Sequence, residues 1–157
     1  MWWRLLLNAS GSCPWFVNVG LSIIRVVTGL ALCVVFEKVL PRDGAWGPQE
    51  WFAQDVAKMG FPAPHFFAWC AALSEFIGGI LLVLGLLTRP AAFFNAVTTF
   101  VAVFVVHQAD VTGKGLLATL FFALTSAICF AGPGSLSLDA LLSRMFRHRE
   151  AHDTQLV

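Results

Sequence analysis

The chain reads as an all-α, polytopic membrane protein, a four-helix bundle with amphipathic helices lying at the interface. Three observations predict this. Hydrophobic residues make up 58% of 157 and charged residues 12%, about half the roughly 25% charge of globular chains. Mean hydropathy is +0.77. Apolar stretches at about 21–40, 66–87, 90–107 and 116–130 approach or exceed the roughly 17–25 residues that a spanning helix needs. Together they take about half the chain, which leaves room for a single membrane domain, 1–157, and no separate soluble one.

The connections support each element in turn. Trp2, Trp3, Trp15 and Phe16 form an aromatic anchor before the first span. MWWRLLLNASGSC is too short in its apolar part for a cleavable leader. In the long connection after span one, residues 48–59 have helical character. Pro48 suits a first helical position, Gly60 the residue after the end, and Pro62 blocks continuation. Trp51, Phe52, Val56 and Met59 share one side while Gln54, Asp55 and Lys58 face water, as in an interfacial helix. Little more than Thr88-Arg89-Pro90 joins spans two and three, which enforces an antiparallel hairpin. Span four ends at Gly132-Pro133-Gly134, and a second amphipathic helix follows at about 138–148. Its basic side suits anionic lipid.

The ten Lys and Arg residues set the orientation. Arg4, Arg25, Arg89, Arg144, Arg147 and Arg149 fall on the side shared by both termini, against Lys38, Arg42, Lys58 and Lys114 on the other. The positive-inside tendency therefore places both termini in the cytoplasm of a bacterial inner membrane.

Chemistry centres on Glu75, midway along FFAWCAALSEFIGGILLVLGLL. A carboxylate at that depth costs roughly 2.5–3.5 kcal/mol on insertion scales and so has a partner or a task. At about 1.5 Å per residue, Glu75 lies roughly 14 Å below the outer end of its span. Lys38 and Glu37 close span one, and His107 and Asp110 close span three, at the same level. Glu75, Lys38 and His107 are thus the candidate catalytic residues of an outward-facing polar cavity. A protonated Glu75 can donate a hydrogen bond to a quinone carbonyl, and an ionised one can take a proton from a quinol. The competing reading is a buried Glu75 tied to Ser74, Asn95 or Arg25 that only holds helices together.

Ala71, Ser74, Gly78 and Gly85 line one face of span two, a packing stripe of small residues. Asn95, Thr98 and Thr99 are expected to hydrogen-bond between helices, and Arg25 either pairs internally or snorkels to the headgroups. Cys13, Cys33, Cys70 and Cys129 form no Cys-x-x-Cys, and no spacing resembles a metal site. Cys33 and Cys70, both in the outer halves of their spans, are the one candidate redox pair. Phe66-Phe67 and Phe93-Phe94 read as lipid-facing or packing residues. No basic stripe or phosphate loop points to nucleic acid or nucleotide.

The stretch GFPAPHFFAWCAALSEFIGGILLVLGLLTRPAA resembles the DoxX family of small bacterial inner-membrane proteins. That family carries a mid-membrane Glu, a Gly pair and a Gly-Leu-x-Thr-Arg turn, matched by Glu75, Gly78, Gly79, Gly85, Leu86, Thr88 and Arg89. Arg25, Gly29 and Lys38 match its first span, and GPGSLSLDALL resembles its ending. The resemblance runs from about Val19 to Leu142. Val35, Phe36 and Glu37 stand where many members have a His-Gly pair, and His107 is the candidate to replace that His. Some members are subunits of thiosulfate:quinone oxidoreductases and others associate with membrane thiol- or superoxide-handling systems, so the resemblance implies a redox-associated subunit whose outer cavity holds a quinone or a small sulfur substrate, with a partner oxidoreductase supplying the electron path. The alternative is a non-catalytic scaffold or small-solute passage that organises a partner. An oligomer is compatible with either.

Overall fold

The computed structural model describes residues 15–34 and 47–154, and every described element is helical. Helix α1 spans Trp15–Val34, α2 Glu50–Lys58, α3 Pro64–Leu84, α4 Thr88–Val101, α5 Leu116–Ala131 and α6 Leu138–Thr154. A π-helical turn, Ala102–Val106, prolongs α4. The expectations on Trp2, Trp3, Arg4, Cys13, Glu37, Lys38 and Arg42 lie outside the described residues.

Three helices are long and apolar enough to cross a membrane: α1, α3, and α4 with its π turn. The fourth apolar helix, α5, has 16 residues, about 24 Å, and falls short of the roughly 30 Å hydrocarbon thickness. Helix α1 starts at Trp15, several residues before the expected 21, so Trp15 enters the helix itself and is 63% exposed.

The α3–α4 hairpin shows how local sequence sets the frame. Pro64 opens α3, where its missing N–H costs nothing. The helix closes with Gly85 at φ 69°, while Gly85 N–H donates to the Leu82 carbonyl and Leu86 N–H to that of Leu81. This paired closure satisfies two orphan carbonyls and requires a left-handed residue that glycine supplies cheaply. Leu87 is also left-handed, at φ 47°, so the chain reverses within three residues.

Helix α3 is central, with α1 and α4 on its flanks and α2 across it; α5 packs on α4 and touches α1. Gly78 and Gly79 face different neighbours. A Cβ on Gly79 would meet the Gly29 carbonyl at 2.8 Å and Cys33 Sγ at 2.9 Å on α1, and one on Gly78 would strike the Asn95 amide on α4. Adjacent glycines thus admit two helices at one level, the close approach expected of small residues in lipid.

Polarity is distributed as a bilayer requires. Phe130, Val34 and Phe66 are strongly exposed, whereas Arg25, Thr28, Glu75, Thr88, Asn95, Thr125 and Asp139 are buried. Water would penalise such an arrangement, and hydrocarbon favours it.

Candidate functional site

Helices α2, α3 and α4 and the π turn enclose a cavity of about 550 Å³. Glu75, 7% exposed, reaches it from α3, and His107 reaches it from the residue after the π turn. Two of the three expected catalytic residues therefore share one cavity; the third, Lys38, lies outside the described residues.

The π turn positions His107. Its N–H donates to the carbonyl of Ala102, five residues back, at 3.0 Å. Such a wide turn inserts one residue into the helical register and commonly marks functional sites. Gln108 and Ala109 then adopt φ of 47° and 60°, unusual for residues with a Cβ. Asp110 ends the reversal, accepting from Gly113 N–H at 2.8 Å and Lys114 N–H at 3.2 Å. It caps the turn and does not line the cavity, although its charge reaches His107.

The Gly113 amide foremost, helped by those of Lys114 and Thr112 and by His107, holds the Asp110 carboxyl below its ordinary 3.8. A depressed carboxyl stabilises the turn above that ordinary value and loses the contribution as pH falls through the lower, folded one. The Gly113 amide proton shift should therefore titrate with a midpoint below 3.8; a midpoint at or above it would contradict the capped turn.

The cavity walls are mainly apolar, unlike the polar cavity expected from the sequence. Trp51 and Phe52 come from α2, Phe61 from the connection, Phe67 from α3 and Phe94 from α4. Phe61 and Phe67 pack in a tilted arrangement, 41° between planes, with ring centroids 4.7 Å apart. Phe67 and Phe94 line the cavity; of the two pairs only Phe66-Phe67 is split, since Phe94, like Phe66 and Phe93, is largely exposed. A hydroxyl pair, Ser74 Oγ and Thr98 Oγ1 at 2.7 Å, joins α3 to α4 on the same wall. On α2, Asp55 also lines the cavity and pairs with Lys58 at 2.7 Å.

Of the three residues expected to bond between helices, only Thr98 has such a bond here. Asn95 Nδ2 donates to the Ala91 carbonyl and Thr99 Oγ1 to that of Asn95, both within α4. Short polar side chains can return to the previous turn of their own helix, and Asn95 is occupied by packing against Gly78. Cys33 Sγ points to the Phe76 carbonyl at 3.8 Å, Cys70 is exposed at the cavity, and both are free thiols. No cluster of metal ligands occurs among the described residues.

At the α3–α4 turn lies a second polar assembly. Arg25 is 2% exposed, and its Nη2 donates to the Leu136 carbonyl at 2.8 Å. It is an internal residue and does not snorkel. Asp139, wholly buried, accepts from Leu87 N–H at 2.8 Å and Thr88 N–H at 2.9 Å, and its own N–H donates to the Gly85 carbonyl. The carboxylate thus caps α4 and carries the charge felt by Arg25. Asn18 Oδ1 accepts from Ser135 N–H at 3.0 Å, fixing the same segment to α1. Sequence reasoning found these stretches but not that they bind one another.

Comparison with known proteins decides the family. The DoxX family model matches residues 20–108, more than half of the chain. The chain belongs to the DoxX family. It is 32% identical over 109 residues to an uncharacterized protein of Haemophilus influenzae, covering 64% of this chain and 72% of that one. It is 28% identical to inner membrane protein YqjF of Escherichia coli (74% of this chain, 93% of that one). With inner membrane protein YphA of Escherichia coli the identity is 31% (76% and 87%). No solved structure matches. The apolar helices and these relatives make this DoxX protein an integral inner-membrane protein. Of the motifs that matched by sequence, the buried Glu belongs to the cavity, while the Thr-Arg turn and the Leu-Asp ending meet in the assembly around Asp139.

Proposed function

We propose that this DoxX protein is a redox-associated membrane subunit whose cavity holds a quinone, with Glu75 and His107 handling its protons. In this reading the chain crosses the bacterial inner membrane four times as one domain. Both termini are cytoplasmic, and the cavity opens toward the outer side. The observation that carries the reading is the buried Glu75 carboxyl sharing an apolar, aromatic-lined cavity of about 550 Å³ with His107. Ligand sites are commonly apolar clefts of about 300–1,000 Å³ with few polar groups. A quinone ring suits such walls, and its carbonyl or hydroxyl suits a carboxyl or imidazole. Residues here supply proton chemistry, and a partner oxidoreductase supplies the electron path. A small sulfur substrate fits less well, because apolar walls do not repay its desolvation.

The test is mass spectrometry of small molecules retained in nanodiscs. Near-stoichiometric quinone is expected in the wild type, falling at least about tenfold in Glu75→Gln, a loss of roughly 1.4 kcal/mol. Lys38→Ala tests the remaining expected member in the same assay. Equal, empty and folded wild type and Glu75→Gln would instead support the non-catalytic scaffold.

A further inference from the structure

We infer, resting on the quinone reading above, that the cavity takes its ligand sideways from the bilayer. The ring is held inside and the prenyl tail stays in lipid, so the site selects the ring and ignores tail length. Two stripes form the facing walls. Phe67, Cys70 and Ser74 come from α3, and Phe94, Val97 and Val101 from α4. Steps of three and four residues put each trio on one face of its helix. Ser74 Oγ and Thr98 Oγ1, 2.7 Å apart, tie the two helices together between the stripes.

One side of this space is open. Phe94 is 60% exposed and Val97 47%, and Cys70 is exposed on the facing helix, yet all three line the cavity. Val97 stands at the middle of the 19-residue span Thr88–Val106. The mouth therefore faces lipid chains near the bilayer centre, away from both aqueous phases.

Polar groups lie inward of that mouth. Glu75 is 7% exposed, and the Ser74 and Thr98 hydroxyls are part-buried. An apolar mouth with a polar interior admits a polar ring on an apolar tail in one orientation, ring first. The volume of about 550 Å³ suits a body of drug size. A substituted ring fills it, and a tail of many prenyl units remains outside. That tail gains little by touching protein, because lipid chains are as apolar as the side chains it would meet. Tail length thus changes how much quinone the bilayer dissolves, and not how tightly the dissolved molecule binds. Val97 is the residue at the mouth that decides whether a tail can pass.

The test is equilibrium retention of three quinones by the full chain in nanodiscs, with quinone dosed per lipid and empty nanodiscs subtracted. The three share one dimethoxy-methyl-benzoquinone ring and carry a further methyl group, two prenyl units or eight. Full substitution leaves no ring position for addition of the Cys70 thiol. One site per chain is expected, with dissociation constants per lipid that agree within about threefold. Val97→Trp narrows the mouth from a lipid-exposed position. It should weaken both tailed compounds about tenfold, the low end of overpacking, and change the methyl compound by less than about twofold. The comparison of tails needs no variant, so it decides even if Val97→Trp does not fold. A trend of about tenfold or more with tail length, exclusion of the tailed compounds, or an identical response of all three to folded Val97→Trp would overturn lateral entry while quinone binding stood. Retention of none of the three would overturn the quinone reading and lateral entry together.

Discussion

Alanine at Gly79 is expected to separate α1 from α3 and destabilise the fold, whereas alanine at Gly20 should leave it intact. A single methyl at Gly79 would lie 2.8 Å from the Gly29 carbonyl and 3.2 Å from the Cys33 backbone nitrogen. Backbone atoms cannot rotate aside, so one helix must move, at the typical overpacking cost of about 1–3 kcal/mol. Gly20 lies on the same α1 helix with nothing within 4 Å of its would-be Cβ. There alanine gains roughly 0.5–1 kcal/mol from reduced backbone freedom. Unfolding in mixed micelles over a denaturing-detergent titration reads both. Shifts of the same sign and size would refute the close approach of the two helices.

Asp139→Ala should be the most destabilising polar substitution at the α3–α4 turn. It removes the acceptor of both the Leu87 and Thr88 amides and the carboxylate whose charge reaches Arg25. Loss of one member of a buried charge arrangement costs about 3–5 kcal/mol, because the other charge remains. Asp139→Asn removes the same charge but keeps one acceptor oxygen for one of the two amides, so it should lose less than alanine by about 0.5–1.5 kcal/mol, the net worth of one hydrogen bond. The same unfolding titration checks the order wild type, Asn, Ala. An alanine variant as stable as the asparagine one would show that the cap contributes little.

How much of this was legible in the chain depends on the range of each signal. Apolar length announced the helices, and Thr88-Arg89-Pro90 and Gly132-Pro133-Gly134 marked the ends of α3 and α5 within a few residues. The cost of an acidic group in hydrocarbon singled out Glu75, and simple rise along the helices put His107 near it. The π turn left no trace. Its sequence AVFVV is apolar at every position, so an added residue shifts no polar stripe out of phase. The cavity's aromatic character was missed for a related reason: Phe66 and Phe67 are chemically identical neighbours, and only packing sends one outward and one in. Arg25 and Asp139 were hidden by distance along the chain. Neither has a local sequence partner, and Arg25 meets the Leu136 carbonyl across 111 residues.

The cap on α4 also imposes an order of events during synthesis. Thr88 receives its acceptor from a residue 51 positions later. At about 5–20 residues per second, the α3–α4 hairpin waits roughly 3–10 s on the ribosome before Asp139 has been made. During that interval the first amides of α4 must find water, lipid headgroups or the insertion machinery. The final turn is therefore settled by a segment made well after it, and a transcript truncated before codon 139 would yield all the long apolar helices without the residue that fastens them.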